Sequence, residues 1–244
     1  MVSCGCFRIA AFRLPEGHAL DVHAPHEPIH SFKDFLLHLL TITVGLLIAV
    51  GIEGCVELHR EHTLVRDARE TMRAEIDYNA QEMVKQVGTL DKERDAIDVD
   101  IKNLTRILED PKDKEAQKGS ISADFSTQSL RQTAWKTAQT TGALTYMPHE
   151  EAQKYAEVYE MQENFLTQQD KILEDEAQFL GVVAKSDFGK GDTTREQAAS
   201  ALERFGIWKG HLSYLYLMAR VSLATDKAFL EGKDAPREMH EDFK

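Results

Sequence analysis

Apolar and polar positions divide the chain into one unbroken apolar run, one long heptad pattern and several shorter amphipathic stretches. Residues 35 to 52 read Phe-Leu-Leu-His-Leu-Leu-Thr-Ile-Thr-Val-Gly-Leu-Leu-Ile-Ala-Val-Gly-Ile, with no formal charge and one histidine, His38. As a helix this run is about 27 Å long, close to the ~30 Å of a bilayer's hydrocarbon core. Lys33 and Asp34 bound it on one side and Glu53 on the other. Ser31 suits an N-cap, and Asp34 completes a Ser-x-x-Asp capping signal. The pattern predicts a single transmembrane helix over residues 31–55.

Beyond the run, residues 56 to 109 contain no proline and one glycine, Gly88. Apolar residues recur at Met83, Val87, Leu90, Ile97, Ile101, Leu104 and Leu108, interrupted only by Arg94. Steps of three and four residues make a heptad seam. Upstream, Leu64, Ala68, Met72 and Ile76 continue a helical stripe. A helix from residue 31 to 109 would measure on the order of 115 Å at ~1.5 Å per residue. Pro111 ends it, and residues 111 to 126 read as the longest connection. A second helix is predicted from about Ser126 to Thr141, with Leu130, Ala134, Trp135, Thr137 and Ala138 inward and Gly142 as its stop.

Met147-Pro148-His149-Glu150-Glu151 opens a third helix, with proline in the first turn and acids at the positive end of the helix dipole. Its stripe is Ala152, Tyr155, Tyr159, Gln162, Phe165, Leu166, Gln169, Ile172, Leu173, Ala177 and Leu180. Glutamines within such a stripe read as layers that fix pairing. Thr193-Thr194-Arg195-Glu196 reads as a capping box opening a fourth helix. After Gly206, residues 207 to 230 form the most apolar stretch outside the span. Lys209, His211 and Arg220 interrupt it, so it reads as a bundle's central helix rather than a second span. The expected fold is all-α: a transmembrane helix continuing into a long helix and an antiparallel helical bundle. The expected segments are an irregular arm at 1–30, the transmembrane helix at 31–55, a helical bundle at 56–231 and a flexible tail at 232–244.

Composition narrows the function classes. The chain has 244 residues, 42% of them hydrophobic, and a net charge of −12. Residues after Cys55 hold 26 basic and 36 acidic side chains, a net of −10. Such a surface repels nucleic acid, whose binding rests on Lys and Arg at phosphates. The three cysteines, Cys4, Cys6 and Cys55, leave the large C-terminal part without any. No disulfide can therefore staple that part internally.

Candidate chemistry is sparse. His26-Glu27-Pro28-Ile29-His30 on the arm has His-Glu-x-x-His spacing, but Pro28 stands in the middle, against the helix that such a zinc motif needs. After residue 30 there is no Glu-x-x-His, and the sequence contains no Cys-x-x-Cys or Gly-x-Ser-x-Gly motif. His18, His23, His26 and His30 lie on the irregular arm without a scaffold that would fix metal geometry. His59 and His62 read as solvated charges beside the membrane, and His38 as an interfacial histidine rather than a haem or pigment ligand. The tyrosines Tyr155, Tyr159, Tyr214 and Tyr216, with Trp135 and Trp208, are expected to pack the core. No cofactor or metal and no catalytic residue is called for.

Ile52-Glu53-Gly54-Cys55 faintly resembles a lipoprotein cleavage box, but the leader is long and the glutamate fits poorly, so the run reads as an uncleaved anchor. Gly45 with Ala49, and Gly51 with Cys55, form small-x-x-x-small pairs that allow close helix contact in a membrane. Flanking charge scarcely distinguishes the two sides: Arg8, Arg13 and Lys33 precede the span, and Arg60, Arg66, Arg69 and Arg73 follow it. The expected orientation places the C-terminal domain in the periplasm.

The stretch from His30-Ser31-Phe32-Lys33-Asp34 through Gly54, with Ala134-Trp135-Lys136-Thr137-Ala138, Thr141-Gly142-Ala143-Leu144 and Met147-Pro148, resembles a group of uncharacterised bacterial single-span inner-membrane proteins. The resemblance covers most of the chain after residue 30 and implies a bacterial inner membrane, with no activity attached. The expected function is that of a non-catalytic accessory or assembly subunit of a larger membrane complex, respiratory or photosynthetic in kind. Its partners would be other integral subunits or a second copy, together with the lipid bilayer. The alternative is a sensory ectodomain that binds a small ligand between helices.

Overall fold

The structure is a computed structural model and describes residues 31–119, 121, 124–185 and 190–236. The arm at 1–30, with Cys4, Cys6 and its four histidines, and the tail beyond residue 236 lie outside the described residues. The described residues form helices and connections, with no strand among them. The helices are α1 (Phe32–Glu109), α2 (Lys114–Gln117), α3 (Thr133–Thr140), α4 (His149–Val183) and α5 (Arg195–Leu230), with a 3-10 turn at Ala143–Tyr146. The chain divides into two units, Met1–Cys55 and Val56–Lys244.

The first unit contributes the start of α1. Ser31 caps it, its Oγ accepting the Lys33 N–H at 3.3 Å. This helix is long and apolar enough to cross a membrane, and every residue from 31 to 55 is exposed. The Thr41 and Thr43 hydroxyls donate to the carbonyls of Leu37 and Leu39, at 2.9 and 2.8 Å. Hydroxyls satisfied within their own helix suit an apolar surround.

The second unit is a bundle of α1 from Val56 onward, α4 and α5. Hydrogen bonds and ion pairs give the directions. Arg69, Glu75 and Asn79 of α1 meet Glu151, Tyr159 and Gln162 of α4, so these two helices run the same way. Gln162, Asp175 and Gln178 of α4 meet Asp226, His211 and Arg204, so α5 opposes α4. Asp98 pairs with Lys209 and Glu109 with Arg195, so α5 also opposes α1. The bundle is antiparallel across α5, while α1 and α4 are parallel because the chain between them returns along α1.

That return is the main departure from the predicted helix at 126–141. Only Thr133–Thr140 is helical; residues 124–132 are a non-helical strap. Ser126, Gln128, Arg131 and Ala134 bond in turn to Glu93, Glu82, Asn79 and Glu75. The α1 residues from Glu93 back to Glu75 rise about 27 Å, and the chain from Ser126 to Ala134 spans that only when nearly extended, at roughly 3.3–3.6 Å per residue. Ser126, Thr127 and Ser129 favour this, because hydroxyl side chains compete for backbone bonds. Thr137, expected inward, is exposed. Gly142 stops α3 in the left-handed region, φ 76°, where a glycine carries no Cβ penalty.

Three smaller expectations shift. The capping box of α5 uses Thr194 and Gln197, one residue later than Thr193 and Glu196. Helix α5 runs through Gly206 without a break. The α4 stripe ends on Asp175 and Phe179, leaving Leu173, Ala177 and Leu180 exposed.

The core falls into two apolar clusters. One is built on Val65, Ala68, Met72 and Ile76 with Ala138, Ala143, Met147, Tyr155 and Val158. The other is built on Met83, Leu90, Ile97 and Leu104 with Phe165, Ile172, Phe179, Phe205, Trp208, Leu212 and Leu215. Rings of Phe179, Phe205 and Trp208 fill its centre, with centroids 4.2 to 5.8 Å apart. Removing a buried branched side chain leaves a cavity, so Ile97→Ala should destabilise the bundle by about 2–5 kcal/mol. Val99→Ala, two residues on but exposed, should stay within about 0.5 kcal/mol. Urea unfolding of the full chain in mild detergent, followed by helical circular dichroism, compares the two.

Candidate functional site

Between the two apolar clusters lies a polar layer, formed by Glu75 and Asn79 from α1, Tyr159 and Gln162 from α4, and Ser222 and Asp226 from α5, all buried. Its origin is a heptad of polar residues. In α1, Val65, Met72, Asn79, Gln86, Glu93, Asp100 and Ile107 recur every seventh residue, and all but the half-buried Glu93 are buried. In α4, Tyr155, Gln162, Gln169 and Glu176 recur likewise. These two rows flank the strap.

A non-helical segment packed between helices has no regular partner for its N–H and C=O groups, and leaving them bare is costly. Side-chain amides supply the partner. Asn79 Oδ1 accepts the Arg131 N–H at 2.9 Å, and its Nδ2 donates to the Arg131 carbonyl at 2.8 Å. Gln169 does the same to Gln128, at 2.8 and 2.9 Å. At the far end, Gln117 of α2 does it to Thr193, at 3.0 and 2.8 Å. Each amide reads one residue's donor and acceptor together, as a neighbouring β-strand would. Gln86 adds a bond to the Ser126 carbonyl at 3.3 Å.

The carboxyl groups of the layer differ in how completely they are bonded. Glu75 accepts from the backbone of Ala134 at 3.0 Å and of Trp135 at 3.4 Å, and from the Tyr159 hydroxyl at 2.9 Å. Gln132, the N-cap residue of α3, makes no side-chain cap, so Glu75 caps that helix from another element. Burial and the neighbouring Glu75 carboxylate push the Tyr159 phenol well above its ordinary range. The Asn79 amide also donates to Gln162 Oε1 at 2.8 Å, and Gln162 Nε2 to Asp226 Oδ1 at 3.0 Å. Asp226 Oδ2 and Ser222 Oγ are buried with no partner among the described residues. Burial pushes the Asp226 carboxyl up to about 7, with the Gln162 bond opposing.

The seam residues are brought together, but inside the chain. Met83, Leu90, Ile97 and Leu104 are fully buried against α4 and α5, and Val87, Ile101 and Leu108 pack half-buried against the same cluster. Arg94, the seam's interruption, lies over the Tyr216 ring at 4.6 Å. The polar row that handles the strap lies outside the apolar pattern; its signal is the seven-residue spacing of Asn79, Gln86, Glu93 and Asp100. Gly45, Ala49, Gly51 and Cys55 are exposed, and at Gly45 and Gly51 an added Cβ would meet nothing within 4 Å. Among the described residues no group of three or more His, Cys, Asp or Glu side chains is placed to hold a metal ion. Of the aromatic side chains expected in the core, Trp135 stacks on Tyr159 at 4.9 Å and Tyr155 tilts against Phe229 at 4.8 Å, whereas Tyr214 is exposed. No family model matches the chain, and no curated protein or solved structure is significantly similar to it.

Two outcomes are expected. Asn79→Leu strands both backbone groups of Arg131 and one end of Gln162, and should destabilise the bundle by about 2–4 kcal/mol in urea unfolding. The second concerns pH. Asp226 binds its proton more tightly folded, near 7, than the 3.8 of an ordinary aspartate. The folded state therefore holds more protons between those values, and this residue's contribution falls as pH rises from about 4 to about 7, by on the order of 4 kcal/mol. Melting curves across that range should show Asp226→Asn raising stability at the alkaline end and flattening the profile.

Proposed function

We infer that the chain is a membrane-anchored, non-catalytic helical bundle that serves as an accessory or assembly subunit of a larger bacterial membrane complex. The observation that carries this reading is the apolar segment of α1: long enough to span a bilayer, exposed along its whole length, and bearing Gly45 and Ala49 one turn apart on an open face. Lipid satisfies most of such a surface, and small residues admit a second helix at short range. The bundle's interior supports the same reading from another side. Its buried amides and Glu75 are engaged with backbone groups of the chain itself, in structural work.

The resemblance to single-span inner-membrane proteins supports a bacterial inner membrane, and the C-terminal bundle is assigned to the periplasm. The interior heptad seam is used within the chain, so association is assigned to the span, with other integral subunits or a second copy as partner.

Purification in mild detergent should recover the chain at fixed stoichiometry with an integral partner or with itself. Gly45→Leu with Ala49→Leu should abolish that association while leaving the bundle's melting temperature unchanged, since nothing packs on Gly45. A monodisperse monomer from the wild-type chain would overturn the reading. Orientation is read separately: with Cys6 and Cys55 replaced by serine, an impermeant maleimide applied to intact spheroplasts should label a cysteine added at the C-terminus and spare Cys4.

A further inference from the structure

The strap is fastened by two kinds of group. Neutral amides hold its middle, Asn79 on Arg131 and Gln169 on Gln128. Carboxyl groups meet its ends. At the entry, the Ser126 N–H and Oγ–H donate to Glu93 Oε1 at 2.9 and 3.2 Å, while Glu93 Oε2 is buried with no partner among the described residues. Beside it, the Glu176 carboxyl faces the Phe125 backbone N–H and the Asp124 carboxyl. At the exit, Arg131 is held by Asn79, Asn79 by Gln162, and Gln162 by Asp226, whose second oxygen is also buried and bare. A hydrogen-bonded chain thus joins the strap to α1, α4 and α5.

Charge around the strap is one-sided. From α1 come Glu75, Glu82 and Glu93, with Lys85 turned to Glu82. From α4 come Glu163 and Glu176 with Tyr159, and from α5 Asp226. The strap itself brings Asp124 and Arg131, the latter lying over the Tyr78 ring at 3.4 Å. Seven carboxyl groups thus face two cations, and full ionisation would leave the buried ones uncompensated.

We propose that residues 124–132 are a proton-dependent latch, closed in the α1–α4 groove while Asp226, Glu93 and Glu176 hold protons and released as they ionise. Burial shifts Glu93 and Glu176 upward as it does Asp226, so these groups ionise above the usual carboxyl range. Release uncovers Phe125 and Leu130, both buried in the closed form. The latch does not depend on which membrane partner the span engages.

Amide hydrogen exchange on the full chain in nanodiscs, from about pH 5.5 to about pH 8.5 and corrected for the intrinsic rate, reads the latch directly. Protection of the Gln128 and Arg131 amides should fall with rising pH by up to about tenfold per unit for each linked proton. Core amides of α5 around Leu212 and Leu215 should lose no more protection than the fall in global stability accounts for, and stay better protected than the strap. Asp226→Asn should preserve protection at Arg131 at the alkaline end, and Glu176→Gln should preserve it at Gln128. Should Asp226→Asn fail to fold, the Glu176→Gln variant decides alone by the same criterion. Protection that is flat with pH, a loss spread evenly over the bundle, or an unchanged profile in the folded variants would each overturn the proposal.

Discussion

A length of non-helical chain inside a helical bundle must find hydrogen-bond partners that neither it nor its neighbours provide in their backbones. In helices α1 and α4 the main-chain groups are already paired internally. The partners therefore come from side chains, and a primary amide is well suited because it offers a donor and an acceptor on one rigid plane. Asn79 and Gln169 each match both groups of a single strap residue. Much of the bundle's polar interior follows from this requirement. Glu75 belongs to the same scheme, since α3 begins where the strap ends and its first N–H groups point at the α1 carboxylate.

The strap also accounts for the direction of the helices. Extended chain covers a given distance in fewer than half the residues a helix needs. A short segment can thus carry the chain back along α1, so that α4 starts beside the early part of the bundle and runs alongside α1. Helix α5 then opposes both and closes the core with Phe205, Trp208, Leu212 and Leu215. All three helices keep seven-residue spacing at their buried positions, which lets rows stay in register over many turns. In α5 the row Ala198, Phe205, Leu212, Ala219 and Asp226 is fully buried throughout.

What was legible from the residues was whatever is encoded locally. The apolar run, Ser31 as a cap, the stop at Pro111, Gly142 as a breaker and Pro148 at the start of α4 each act within a few residues, and each stands where expected. The apolar row at Met83, Leu90, Ile97 and Leu104 was equally plain. The strap was not, because its conformation is set by partners some forty to sixty residues away in α1 and α4. Leu130 and Ala134, four residues apart and both inward, imitate one face of a helix. The polar heptad is hidden from an apolar pattern, because Asn79 and Gln86 can be buried only where another segment's backbone meets their amides. The exposure of Leu173 and Leu180 has the same root: with the α4 polar row turned to the strap, those leucines lie beyond it.

An apolar layer in place of Glu75, Asn79, Gln162 and Asp226 would spare these groups their desolvation but would strand the Arg131 and Ala134 backbone groups that they bond. The layer also fixes register. A purely apolar heptad interface tolerates a slip of one repeat, because every seventh position looks alike. Here a slip of α1 against α4 by seven residues would set Met72 or Gln86 against Gln162. A methionine there would leave the Arg131 backbone unclasped, and the longer glutamine would not fit the space of an asparagine. The same slip would carry Glu75 away from the start of α3 and from the Tyr159 hydroxyl. Two apolar clusters that could each pack in several alignments are held to one by the single layer between them, and the unpartnered oxygen of Asp226 is the residual strain that this alignment leaves.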